Sequence, residues 1–360
     1  MILVAKPQID EAEIEAVSEV LRSGMIAQGQ RVADFEQAFA EYNGVDHAVA
    51  VNSGTAALHA ALLAHGIGKG DEVITSPFSF VATANSVLFT GATPVFADIE
   101  PEAFILDPDL VAEKITPRTK AIMPVHLYGH PADMDAMRDL AEDKHLLLIE
   151  DACQSHGATF RGKMVGSFGT GAFSFYPTKN MTTSEGGMLT TNSREVAEKA
   201  RMIRAHGSAQ RYLHEMLGFN LRMTDICAAI GLVQLQKLEG YTAKRQQNAE
   251  KLTKGLQGAE NIVCPTVKEG CSHVFHQYTI RTEKRDDLAA YLNSKGVGTG
   301  IHYPIPIHRQ PYYQELGYTD SMPISEKASR EVLSLPVHPQ LAEEDLDLII
   351  NTIKEWSGNR

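Results

Sequence analysis

The stretch HAVAVNSGTAALHAALLAHG, residues 47–66, changes period once. Residues 47–51 are a short apolar run of strand type, and residues 54–66 are a helix rich in alanine and leucine that stops at a glycine. A strand that runs straight into a helix is the opening of a βα unit. The same alternation continues down the chain. EVITS (72–76), TPVFAD (93–98), AIMPVHL (121–127), HLLLIED (145–151), GAFSFY (171–176) and GMLTT (187–191) read as strands. VATANSVLFTG and DMDAMRDLAEDKH read as intervening helices. The pattern predicts a large α/β domain with a mostly parallel sheet covered by helices.

A long helical region follows GFNLRM, and the texture then becomes mixed in HVFHQYTIRTEKRDDLAAYLNSKGVGTGIHYP. We read residues 1–240 as the large domain, N-terminal helix included, and 241–360 as a smaller α+β domain closed by the helix EEDLDLIINTIKEW. A chain of 360 residues with 43% hydrophobic content buries cores of that size. The net charge of -12 argues against nucleic acid and anionic membrane surfaces as partners. Cys153, Cys227, Cys264 and Cys271 are scattered, without the spacing of a zinc site, and no bound metal is expected. With no basic leader and no long apolar run, the expectation is a reduced, cytoplasmic protein.

Three features carry the chemistry. Asp151 ends the apolar strand LLLIED, where a carboxylate either caps a turn or faces a ligand; Gln154, Ser155 and His156 follow and crowd polar groups at the same edge. At Asn52-Ser53-Gly54-Thr55 a strand passes into a helix start, which is either a plain N-cap or an anion cradle. In FSFYPTKNMTTSEGGMLTT (173–191), Lys179 lies between two strands at the mouth of the sheet. A lysine, a carboxylate and an anion cradle together match pyridoxal phosphate (PLP), whose aldehyde, ring nitrogen and phosphate need those three partners.

VNSGTAALHAAL, GKGDEVITSPFSFVATANSV, IEDACQSHGA, FSFYPTKNMTTSEGGMLTTN, GFNLRMTDICAAIGLVQL and other blocks, in the same order, resemble the DegT/DnrJ/EryC1/StrS family of PLP-dependent nucleotide-sugar aminotransferases over nearly the whole chain. The resemblance implies the aspartate-aminotransferase-like fold, PLP-dependent transferase fold type I. It makes Lys179 the Schiff-base lysine and Asp151 the partner of the pyridinium nitrogen. It places Gln154 near the phenolic oxygen, Phe80 on the ring face, and Gly54, Thr55 and Ser174 on the phosphate. It assigns Asn220 to the phosphate of the neighbouring subunit, hence a homodimer with shared active sites. The implied reaction moves an amino group by ping-pong chemistry from L-glutamate, through the PLP and PMP forms, to a nucleotide-linked keto-deoxysugar of polysaccharide biosynthesis.

VHLYGHPADMDAM leans toward enzymes that aminate C4 of 4-keto-6-deoxysugars, perosamine synthase among them. In HYPIPIHRQPYY (302–313), Tyr303, His308 and Tyr312 are candidate substrate contacts, packed histidines being the alternative. The rival readings on the same fold are a PLP-dependent sugar dehydratase, which carries histidine where this chain has Lys179, a keto-cyclitol aminotransferase, and a regulator without activity. One departure from the family pattern is Ser184 in place of a glycine; serine restricts the backbone, so the turn there is expected to differ locally.

Overall fold

The computed structural model describes residues 1–358. All seven runs of strand type enter one sheet: β1 His47–Val51, β2 Glu72–Thr75, β3 Thr93–Phe96, β4 Thr119–Met123, β5 Leu147–Asp151, β6 Thr170–Ser174 and β7 Gly187–Thr191. They lie in the order β1-β7-β6-β5-β4-β2-β3. The pairs β2–β3, β2–β4, β4–β5 and β5–β6 are parallel, and β7 runs antiparallel between β1 and β6. This is the mostly parallel sheet of fold type I.

Period-two alternation decides which layer each residue joins. Two helices, α1 (Glu11–Ser23) and α2 (Gln30–Asn43), precede β1; in β1, Val49 and Val51 pack with the helix α3 (Gly54–Ala64) and the helix at Arg194–Arg204, whereas Ala48 and Ala50 face Phe35 and Phe39 of α2. Helix α3 is buried on nearly every side, which explains why its sequence is apolar all round instead of amphipathic. The start of the helix at Gln30 is held by Asp225, which accepts from the N–H groups of Gly29 at 2.8 Å and Val32 at 3.0 Å. Asp225 itself opens a 31-residue helix, Asp225–Gly255, capped by the Thr224 side chain.

A further cluster gathers the antiparallel pair Tyr278–Arg281 and Val332–Leu335, the helices Arg285–Ser294 and Glu343–Gly358, and Ala249 and Leu252 from the end of the long helix. We propose that this is the smaller domain. The division at 240/241 then falls inside the long helix, and Ile2 packs against the later cluster rather than the large sheet. Among the described residues no helix is long and apolar enough to cross a membrane.

Candidate active site

The carboxyl ends of β5 and β6, the start of α3 and the loop after β6 enclose a cavity of about 480 Å³. Strand β5 ends on two carboxylates whose side chains alternate across the sheet. Glu150 points away from the cavity and is fully buried. It accepts from the N–H groups of Gly166 (2.7 Å), Phe168 (2.8 Å) and Gly169 (2.9 Å). His126 Nδ1 accepts from Ala132 N–H, so its Nε2 carries the proton and donates to Glu150 at 3.1 Å. Glu150→Leu would orphan all four donors at about 1–3 kcal/mol each. The expected loss is at least about 4 kcal/mol of stability, read from the urea midpoint; a loss under about 1 kcal/mol would contradict this account of the strand.

Asp151 faces the cavity and is 4% exposed. Its Oδ2 accepts from Thr83 Oγ1 at 2.7 Å and its Oδ1 from the Cys153 N–H at 3.2 Å. Gln154 is fixed at both ends: Oε1 accepts from the Tyr128 N–H at 2.8 Å, and Nε2 donates to the Tyr303 hydroxyl at 3.0 Å. Tyr128 O–H in turn donates to the carbonyl of His302.

The loop that presents Lys179 is tied at its neck and along its length. Phe175 N–H donates to Gly186 O at 2.8 Å, Thr183 N–H to Phe175 O at 3.0 Å, and Asn180 Nδ2 to Val274 O at 2.9 Å. Ser184 adopts the left-handed region at φ 71° with its N–H on Thr182 Oγ1, so serine takes the turn that glycine would favour, and the expected departure is small. Gly187 answers why this loop needs its second glycine: a Cβ there would lie 2.3 Å from Ser53 O, against the turn that leads into α3. Burial lowers the pKa of the Lys179 ammonium, opposed by the nearby Cys153 and Asp151. Its Nζ has no hydrogen bond or ion pair among the described residues.

At the start of α3, Ser53 Oγ accepts from Ala56 N–H and Ser53 O from Ala57 N–H, which leaves the N–H groups of Gly54 and Thr55 outside the helix ladder. Both residues line the cavity together with Ser174. Packing is tight here, since a Cβ on Gly54 would sit 2.6 Å from Ser174 Cβ and 3.0 Å from Cys153 Sγ. These donors at one end, Asp151 deeper in, and an unpartnered lysine amine fit PLP: Gly54, Thr55 and Ser174 would take the phosphate and Asp151 the ring nitrogen. Phe80, half-exposed, is on the same cavity, its ring 6.2 Å from that of Tyr303.

The cavity therefore collects Lys179, Asp151, Gly54, Thr55, Phe80, Gln154, Ser174 and Tyr303. It does not collect three others. His308 is 1% exposed, with Nε2 3.2 Å from Glu326 and its ring against Phe96, so it is packed rather than presented. Tyr312 is exposed elsewhere on the surface. Asn220 is exposed outside the cavity, its backbone bridged to Ala205 and its carbonyl accepting from Asn52 Nδ2 at 3.4 Å. His126 and His130, in the block VHLYGHPADMDAM that leans toward C4 amination, are also packed: His126 against Glu150, and His130 with Nδ1 on Pro131 O and Nε2 accepting from Lys268 N–H.

Thr83, His276, Gln277 and His302 line the cavity although the sequence reading did not single them out. Burial keeps His276 well below the usual histidine range and brings His302 to about 4, so both are neutral at pH 7. The only available signal for Thr83 was its place three residues after Phe80 in the block PFSFVATAN, which by itself is equally a packing position.

A model of the DegT/DnrJ/EryC1/StrS aminotransferase family matches residues 7–354. A pleiotropic regulatory protein of Geobacillus stearothermophilus is 44% identical over 98% of this chain and 95% of its own. The dTDP-3-amino-3,4,6-trideoxy-alpha-D-glucose transaminase of Streptomyces venezuelae is 43% identical over 95% and 91%. The GDP-perosamine synthase of Caulobacter vibrioides is 43% identical over 98% of both chains. Among solved structures, S. venezuelae DesV in complex with a ketimine intermediate superposes with a TM-score of 0.93 at 42% identity, over 96% of this chain and 94% of that one.

Proposed function

Because the chain belongs to the DegT/DnrJ/EryC1/StrS aminotransferase family and is thus a PLP-dependent sugar aminotransferase, we propose that it transfers the amino group of L-glutamate to a nucleotide-linked keto-deoxysugar at the cavity built around Lys179. The observation that carries this reading is the unpartnered, half-buried amine of Lys179 in one cavity with Asp151 and the free N–H groups of α3. When bound, the cofactor supplies a carbonyl to carry the amino group and a ring to spread negative charge from the reacting carbon.

Each protein group then has one task. The N–H groups of Gly54 and Thr55 and the Ser174 hydroxyl would hold the phosphate. The Asp151 carboxylate would stabilise a protonated ring nitrogen. Gln154, locked by Tyr128 and Tyr303, would meet the phenolic oxygen, and Phe80 would cover a ring face. Lys179 Nζ, whose neutral form burial favours, takes the proton from the donor's α-carbon and delivers a proton in the acceptor half-reaction.

For the acceptor we propose a 4-keto-6-deoxysugar, with Tyr303 as the contact from this chain. The two sugar-processing relatives do not separate C3 from C4 amination, since the enzyme named for a 3-amino product and the perosamine synthase are equally similar. The histidines of HLYGHP lend that choice no direct support, because they are packed away from the cavity. Asn220 lies outside its own cavity, which supports its assignment to a partner's phosphate and hence a homodimer with shared sites. The relative named as a regulator does not displace an enzymatic reading, because Lys179, Asp151, Gly54 and Thr55 share one cavity in this chain.

The test is to offer GDP-, UDP- and dTDP-linked 4-keto-6-deoxy- and 3-keto-6-deoxysugars with L-glutamate and follow 2-oxoglutarate. Amination of a 4-keto sugar is expected. Amination of 3-keto sugars alone would overturn the regiochemistry, and no 2-oxoglutarate with any sugar would overturn the substrate pairing.

A further inference from the structure

Helix α4 (Ala82–Phe89) begins just after Phe80, and Thr83 lies in its first turn. A threonine inside a helix ordinarily turns its hydroxyl back onto the carbonyl four residues earlier. Thr83 does not. It is 1% exposed, and its Oγ1 reaches across to Asp151 Oδ2 at 2.7 Å. Ser79 Oγ, on a residue only 4% exposed, lies 2.8 Å from the same Thr83 oxygen.

The directions of these bonds follow from the chemistry. A carboxylate oxygen only accepts, so Thr83 donates its one proton to Asp151, and Ser79 must then donate to Thr83. The second oxygen of Asp151 is held by the Cys153 N–H. Each oxygen thus has a fixed donor, one from the backbone of its own strand end and one from α4. The Thr83 N–H in turn donates to Phe80 O at 3.1 Å, so the residue that would cover the ring face and the residue that grips the carboxylate belong to one short segment.

We propose that Thr83 is a positioning residue for Asp151, and that the relay Ser79–Thr83–Asp151 sets the orientation of the carboxylate relative to the ring-covering Phe80. Thr83 acts through Asp151 and not on the substrate. The inference rests on the reading of Asp151 as the partner of the ring nitrogen. It predicts that removing one hydroxyl, with no change in side-chain shape, weakens the cofactor's hold and the chemical step together.

Thr83→Val removes the hydroxyl and keeps the shape, and Thr83→Ser keeps the hydroxyl. Four readouts separate orientation from packing: the dissociation constant of PLP from reconstituted apoprotein, the pH midpoint of the bound cofactor's visible absorption, kcat, and KM for L-glutamate. Thr83→Val is expected to lose about tenfold in cofactor affinity and about tenfold in kcat, as for a lost hydrogen bond to a charged group. Its absorption midpoint should shift, while the donor KM changes by less than about twofold. Thr83→Ser should return most of each loss. Should Thr83→Val not fold, Ser79→Ala removes the outer donor and should produce a smaller change of the same kind.

A fall in the urea midpoint of Thr83→Val with cofactor affinity and absorption unchanged would show a packing role and overturn the proposal. The Asp151→Asn background distinguishes the two ways of failing. If Thr83→Val costs the same with Asp151→Asn as without it, Thr83 does not act through Asp151 and the proposal falls alone. If Asp151→Asn by itself turns over like the wild type, the reading of Asp151 falls and this inference falls with it.

Discussion

Lys179→Ala is expected to abolish transamination and the borohydride-reducible link between chain and cofactor. The structure gives two reasons. The Nζ of Lys179 is the amine on the cavity wall without a partner among the described residues, and burial shifts it toward the neutral, nucleophilic form. Among the described residues no other lysine lines that cavity, so no second amine there can take over. Residual turnover should be below about one part in a thousand, the scale on which a lost nucleophile or proton carrier is felt. Mass spectrometry of borohydride-treated wild-type protein checks the assignment directly, and a reduced adduct on any other lysine would refute it. The same variant tests the shared site. Asn220→Asp should weaken cofactor binding by setting a carboxylate against a phosphate. In a mixed dimer of Lys179→Ala and Asn220→Asp chains, activity should reappear at limiting cofactor only if Asn220 serves the partner, because one pocket then carries neither defect. A mixed dimer no more active than the better parent would reject the shared site.

Asp151→Asn should lower kcat by about a thousandfold, equivalent to about 4 kcal/mol in the barrier, while the apparent affinity for the donor changes little. The substitution is nearly isosteric. The amide oxygen can still accept from one of the two donors, and Thr83 Oγ1 can accept from the new NH₂ group, so the strand end should keep its place. What disappears is the negative charge that favours a protonated ring nitrogen. Stopped-flow measurement of the glutamate half-reaction alone separates this from any effect on the sugar. Turnover like the wild type would end the proposed role of Asp151.

Asp151 and Glu150 illustrate how much of the site could be read in advance. The continuous apolar run from Leu146 to Ile149 marked a buried strand, and buried parallel strands place ligands at their carboxyl ends, so Asp151 stood out. Glu150 did not, because only the folded chain shows three backbone N–H groups and His126 converging on it from residues 16–24 positions away. His308 and Tyr303 came from the same proline-rich segment with the same polarity, yet one packs against Glu326 and the other reaches Gln154 in the cavity. Thr83 looked like any threonine in an apolar helix.

The sequence by itself determined the elements of the large sheet: its seven strands, the helices between them, the helix start at Ser53, and a lysine between β6 and β7. Local propensity, side-chain period and cap chemistry act over a few residues, and the sequence displays them directly. Tertiary structure alone decided the strand order with β7 reversed between β1 and β6, and the choice of which polar side chains meet. Those outcomes come from pairing segments far apart in the chain, where the match of many buried surfaces and donors is settled together and no single segment carries the information. Asp151 and Thr83 are 68 residues apart in sequence and 2.7 Å apart in the fold.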